Sequence, residues 1–143
     1  MASQSQMGQI VWHDLLTADI ATAMGFYAEL LGWEYQIEHA SNFVWKPGAA
    51  DYPLILAHGE AHGGFVDGGK DQPSRWLAYV RVKNVDMAVA TAQTLGATVD
   101  RAPFDVPGVG RNAVIRDPQG AVICPTVPTH NFPPPAGTFL WDE

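Results

Sequence analysis

Cysteine is almost missing from this chain: Cys124 is the only one in 143 residues, which excludes an intrachain disulfide and any zinc site built from several thiolates. Positive charge is scarce too. Eight Lys and Arg stand against 15 Asp and Glu, a formal net charge of −7, so the clustered cations that phosphate binding needs are lacking and nucleic acid is excluded as a partner. The same acidity suits a cationic small ligand. No apolar run approaches membrane-spanning length, and the polar start Met1-Ala2-Ser3-Gln4-Ser5-Gln6 has neither a basic cluster nor the apolar stretch of a signal peptide. The expected setting is cytoplasmic, with no membrane partner. What the chain does have is apolar content, 47%, enough for one compact globular unit that buries roughly two thirds of its unfolded surface.

A strand followed by a helix occurs twice, about 65 residues apart. The first copy runs from Ile10 to Leu16 and then into a helical stretch with apolar positions Ile20, Ala23, Met24, Tyr27 and Leu30; the second runs from Trp76 to Val82, with Val85, Ala88, Val89, Ala92 and Leu95 at identical spacing. Both stripes have the i, i+3, i+4, i+7 pattern of an amphipathic helix. Asp19 and Asn84 stand at the N-cap, where a side-chain oxygen can accept from the first-turn amides. Gly32 and Gly96 stand where each helix must stop.

Behind each helix the period shortens to two. Trp33–Ile37, Asn42–Trp45, Leu54–Ala57 and Gly64–Val66 read as strands in the first half, and Thr98–Asp100, Arg111–Arg116 and Ala121–Cys124 in the second. Asp117-Pro118-Gln119-Gly120 has strong turn chemistry between the last two. The chain is therefore expected to be α+β: a free N-terminus over 1–8, a βαβββ module over 9–66, a linker over 67–75, a second βαβββ module over 76–127 and a Pro-rich tail over 128–143. Such a module exposes one sheet face. Two of them are expected to pack as a cupped mixed sheet with helices outside, and a small-molecule pocket in the cup.

Asp19 followed by Phe26-Tyr27-Ala28-Glu29-Leu30-Leu31-Gly32-Trp33, together with Arg116-Asp117-Pro118-Gln119-Gly120-Ala121, resembles the vicinal-oxygen-chelate superfamily. That group includes glyoxalase I, bleomycin-resistance proteins and extradiol dioxygenases. The resemblance runs from residue 9 to residue 127 and implies a cupped sheet, a homodimer or pseudo-dimer, and in many members a divalent metal held by His and Glu. One fold hosts many activities, so it does not by itself assign a reaction.

In metal-binding relatives the ligands come from the first and last strand of each module. Here those positions fall on Trp12, Leu77 and Cys124, so the usual His/Glu site is not expected and no cofactor is assigned. Cys124, between Ile123 and Pro125, reads as a buried small hydrophobe. If Trp12, Asp14 and Leu16 face the cup, then Val11, His13, Leu15 and Thr17 face the helix, because a one-residue shift reverses every side chain. The same parity places Leu77, Tyr79 and Arg81 inward. The expected ligand-binding residues are Trp12, Asp14, Tyr79, Arg81 and Cys124.

His58-Gly59-Glu60-Ala61-His62 is the densest group of metal-ligand types. It reads as a hairpin turn with exposed histidines, and with His13 it supplies the alternative metal site, for zinc, nickel, manganese or iron. Gly64-Phe65-Val66-Asp67-Gly68-Gly69-Lys70 copies part of a phosphate loop, but Asp71 replaces the needed Ser or Thr and Pro73 follows. Asp100 and Asp105 read as solvated carboxylates. Gly137–Glu143 echoes Gly8–Asp14, as though another module were starting, and is expected to dock on a sheet edge or a partner subunit. The leading functional reading is a protein that binds a small organic molecule without the family metal, as a homodimer. Its rivals are a metal-dependent lyase, isomerase or dioxygenase, and a drug-sequestering resistance protein.

Overall fold

The computed structural model describes residues 7–43, 46–106 and 109–129. In chain order the elements are β1 (Ile10–Thr17), α1 (Ile20–Leu31), β2 (Glu34–Phe43), β3 (Lys46–Ala57), β4 (Glu60–Asp67), β5 (Arg75–Arg81), α2 (Val85–Thr94), β6 (Thr98–Val106), β7 (Gly110–Arg116) and β8 (Val122–Pro128). This is βαβββ twice, an α+β fold as the repeat requires. The chain divides into two compact units, residues 12–76 and residues 77–129 joined by the strand start at 7–11. The C-terminal echo at Gly137–Glu143 lies outside the described residues.

In the first unit the strands lie in the order β2-β3-β4-β1, with β1 parallel to β4 and the other neighbours antiparallel. Asp19 caps α1 by accepting from the Thr22 amide at 3.0 Å, and Gly32 ends it in the left-handed region at φ 70°. Ile20, Ala23, Met24 and Tyr27 lie on a core of Leu15, Trp33, Ile55, Ala57 and Phe65. Tyr27 stacks on Trp33 at 5.2 Å and meets the edge of Trp76 at 5.5 Å. Burying a side chain such as Phe65 contributes about 1.5–3 kcal/mol, so this aromatic layer is the main anchor of the helix.

The second unit repeats the plan in the order β5-β8-β7-β6, with β5 parallel to β8. Asn84 caps α2 by accepting from the Met87 amide at 2.9 Å. Val85, Val89 and Ala92 pack with Ala113, Ile115, Val99, Ile123 and Val127. The Asp117 turn forms as expected: its carboxylate accepts from the Gln119 and Ala121 amides at 2.8 and 3.0 Å. Gly8 and Gln9 pair with Arg81 through backbone bonds of 2.9 Å each.

Three expectations need correction. Asn42–Trp45 is not a separate strand: Asn42 and Phe43 end β2, and Val44 and Trp45 lie outside the described residues. Leu30 and Leu95 leave their apolar stripes and are exposed, because ten residues at 3.6 per turn place the last position about 80° short of the first. Asp100 and Asp105 are not merely solvated: Asp100 pairs with Arg116 at 2.8 Å and Asp105 with Arg111 at 2.9 Å.

Candidate functional site

On β1, Leu15 points into the core beneath α1, so alternation turns Trp12 and Asp14 to the opposite face. There they meet Tyr52 of β3. The Tyr52 hydroxyl donates to Asp14 Oδ1 at 2.5 Å, and Trp12 Nε1 lies 3.2 Å from Asp14 Oδ1 and 3.0 Å from the Tyr52 oxygen. Between β3 and β1 runs β4, whose Gly64 sits opposite Asp14. A Cβ on Gly64 would collide with the Tyr52 ring, so glycine is what lets a tyrosine from one strand reach across the next. Burial first, and the Asp14 carboxylate second, hold the Tyr52 phenol well above its usual range. Asp14 itself is only 4% exposed. Burying a carboxylate costs free energy that its partners must offset.

The second unit carries a different polar face. Tyr79 and Arg81 share one side of β5 by alternation, and Tyr79 stands opposite Cys124 of β8; both are buried. Thr126 Oγ1 donates to Asn112 Oδ1 at 2.7 Å inside the protein. Helix contacts come from Ala113 and Ile115, so Asn112 and Val114 lie on the face away from α2. Two register shifts in β6 set Arg101 opposite Val114 and Phe104 opposite Asn112. Arg101 then lies 3.6 Å over the Phe104 ring. Burial lowers its pKa and Tyr79 opposes that shift. Sequence reasoning missed Tyr52, Gly64, Arg101, Phe104, Asn112 and Thr126. Two signals were present: the Gly63-Gly64 pair inside a strand, and Pro103 between Arg101 and Phe104, since strand glycines and prolines mark close approach or bulges.

The metal-ligand positions of the superfamily can be completed from register. Asp14 pairs with Gly64 as Tyr79 pairs with Cys124, so Gly64 is the first unit's counterpart of Cys124. The four positions are Trp12, Gly64, Leu77 and Cys124: an indole, a hydrogen, an isobutyl group and one buried thiol. Such a donor set does not fit a divalent ion held by His and Glu. Among the described residues, no three His, Cys, Asp or Glu side chains come together as a metal site. His58 and Gly59 form the two-residue turn joining β3 to β4, both at positive φ, with His58 and Glu60 exposed. His62 departs from the expected exposed histidine: it is 1% exposed, the extra residue where Ala61 and Gly63 oppose Leu56 and Ile55. Burial lowers its pKa, against a hydrogen bond to the Ala57 backbone. His13 is buried on the side of the strand that carries Leu15.

The paired modules and their strand faces define a member of the vicinal-oxygen-chelate superfamily, and residues 10–126 match the model of the glyoxalase-like domain family, to which the chain belongs. It is 31% identical over 119 residues to CFP32 of Mycobacterium bovis, which bears the name of a glyoxylase, and 30% identical over 129 residues to the anthracycline biosynthesis protein DauV of Streptomyces sp. strain C5. These alignments cover 82% and 80% of this chain but 43% and 45% of the relatives, so the chain spans less than half their length. Among solved structures, methylmalonyl-CoA epimerase from Mycobacterium tuberculosis superposes with TM-score 0.61 at 15% identity, covering 91% of this chain and 94% of that one. A homoprotocatechuate 2,3-dioxygenase variant from B.fuscum gives 0.58 at 21% identity, covering 90% and 34%. These two likenesses establish the fold alone. Among the described residues, no helix is long and apolar enough to cross a membrane.

Proposed function

We propose that this glyoxalase-like protein binds a small organic molecule on strand faces turned away from its helices, without a metal held by His and Glu. The observation that carries the reading is the Trp12, Asp14 and Tyr52 cluster over Gly64. Its Trp12 stands at one of the strand positions that hold metal ligands in metal-binding relatives, its Tyr52 ring lies over another, Gly64, and the cluster offers an oriented acceptor and aromatic surface instead. Trp12, Asp14, Tyr79, Arg81 and Cys124 remain the assigned ligand-binding residues. Tyr52 joins them as the group that positions Asp14. Polar groups aimed from an apolar wall are the ordinary composition of a small-molecule site.

The test is a thermal-shift screen of small organic acids, amides and amines on protein first dialysed against a chelator. At least one compound should raise the melting temperature, and Asp14→Asn should remove or weaken that response. If only metal-loaded protein responds, and His13→Ala or His62→Ala abolishes the response, the metal-dependent reading replaces this one.

A further inference from the structure

We infer that the outer edge of β2 is a docking surface for a partner protein, which adds an extended basic segment there as a further strand.

In each unit one strand of the order has a neighbour on one side only among the described residues: β2 in the first and β6 in the second. Every second residue of an antiparallel strand turns its N–H and C=O away from its neighbour, so such an end offers a row of donors and acceptors to any chain that lies alongside. The two ends are built differently. β6 carries Pro103 and two register shifts against β7, and prolines and bulges are what block pairing at an edge. β2 is ten residues long, contains no Pro, Lys or Arg, and keeps unbroken register with β3 from Glu34 to Ser41. It is the regular template of the pair.

Side-chain direction follows from Tyr35, whose hydroxyl donates to the Met24 carbonyl of α1 at 2.8 Å. Alternation then puts Ile37 and His39 on the helix side and Glu34, Gln36 and Glu38 on the other, where Gln36 Nε2 donates to Glu38 Oε1 at 2.6 Å. Ile37 is 46% exposed, and Glu34 and Glu38 are exposed as well. His39 already meets Asp51 of β3 at 2.6 Å, so the charge that β2 offers a newcomer is that of two carboxylates four residues apart. Like charges set opposite one another destabilise a strand pair, and a second copy of β2 would bring two more carboxylates from a chain of net charge −7. A segment with Lys or Arg four residues apart, and apolar residues between them on the alternate face beside Ile37, meets this edge with opposite charge and matching period. Backbone hydrogen bonds then supply affinity, and the alternating side chains supply selectivity.

The probe is the capped, dye-labelled peptide Thr-Lys-Val-Thr-Val-Lys-Thr, titrated with the full chain by fluorescence anisotropy. Beside it run Thr-Glu-Val-Thr-Val-Glu-Thr and a lysine peptide methylated at every backbone nitrogen, which keeps the charge and loses the ladder. The lysine peptide should bind roughly tenfold or more tightly than either control. Glu34→Lys combined with Glu38→Lys, both at exposed positions, should reverse the preference between the lysine and glutamate peptides. Equal binding of the methylated peptide would overturn strand addition, and an unchanged preference in the double variant would overturn β2 as the place. Lysine-peptide binding that is lost as the chain is concentrated would assign the edge to a second copy and overturn the basic partner. Binding of none of the three peptides would overturn the proposal outright.

Discussion

Gly64 illustrates how one residue without a side chain can decide a site. Its counterpart in the second unit is Cys124, fully buried at the same register position, so a Cβ is tolerated there. At Gly64 the space belongs to the Tyr52 ring. Gly64→Ala should therefore cost about 1–3 kcal/mol of stability through overpacking, read by urea denaturation, and should also weaken binding by displacing Tyr52 from Asp14. Tyr52→Phe keeps the ring and removes the donor, leaving a buried carboxylate short of a hydrogen bond at a cost of about 1–3 kcal/mol. A Gly64→Ala protein as stable as wild type would mean that the ring does not need that space. His62 gives a second effect at this scale. Burial holds its folded pKa below the ordinary 6.5, so the unfolded chain takes up a proton more readily than the folded one. Its contribution to stability is complete above about pH 6.5 and is lost as pH falls toward the folded value. The melting temperature should drop through that window, and His62→Gln should flatten the drop. A wild-type profile unchanged by the substitution would remove His62 from the account.

At the scale of elements, the helices follow local rules and the site follows register. Asn84 caps α2 through one bond to the Met87 amide, and Asn84→Ala should lower stability by about 1 kcal/mol, measured by thermal or urea unfolding with helix content unchanged in the folded state. A loss below a few tenths would show that the Met87 amide finds water as readily. Asp19, Asn84, Gly32 and Gly96 were legible because caps and stops depend on chemistry within a few residues. The facing of Leu15 toward the helix was legible through alternation. Arg101 and Phe104 were not, because each register shift adds a residue and reverses parity beyond it. Pro103 hinted that the ladder breaks there, but not which side chain would turn. Tyr52 was missed for a related reason: its partner Asp14 lies two strands away, and no local pattern reports a contact across an intervening glycine. His62 was misread as exposed because a hairpin tip and its first strand residues look alike in sequence.

At the scale of the whole molecule, α1 carries apolar surface suited to self-association: Phe26 and Leu30 are 58% and 62% exposed, one turn apart, with Leu31 beside them at 50%. Glu29 is the only charge on that helix. Leaving such a row in water forgoes burial of about 25 cal/mol per Å², whereas self-association through a two-fold axis would bury it twice. Sedimentation equilibrium should therefore give a particle of twice the 15.5 kDa chain mass, and Phe26→Glu combined with Leu30→Glu should return it to the single-chain mass with the fold intact by circular dichroism. A wild-type chain sedimenting as a monomer at micromolar concentration would sink the dimer. A dimer unaffected by the two glutamates would move the interface away from α1.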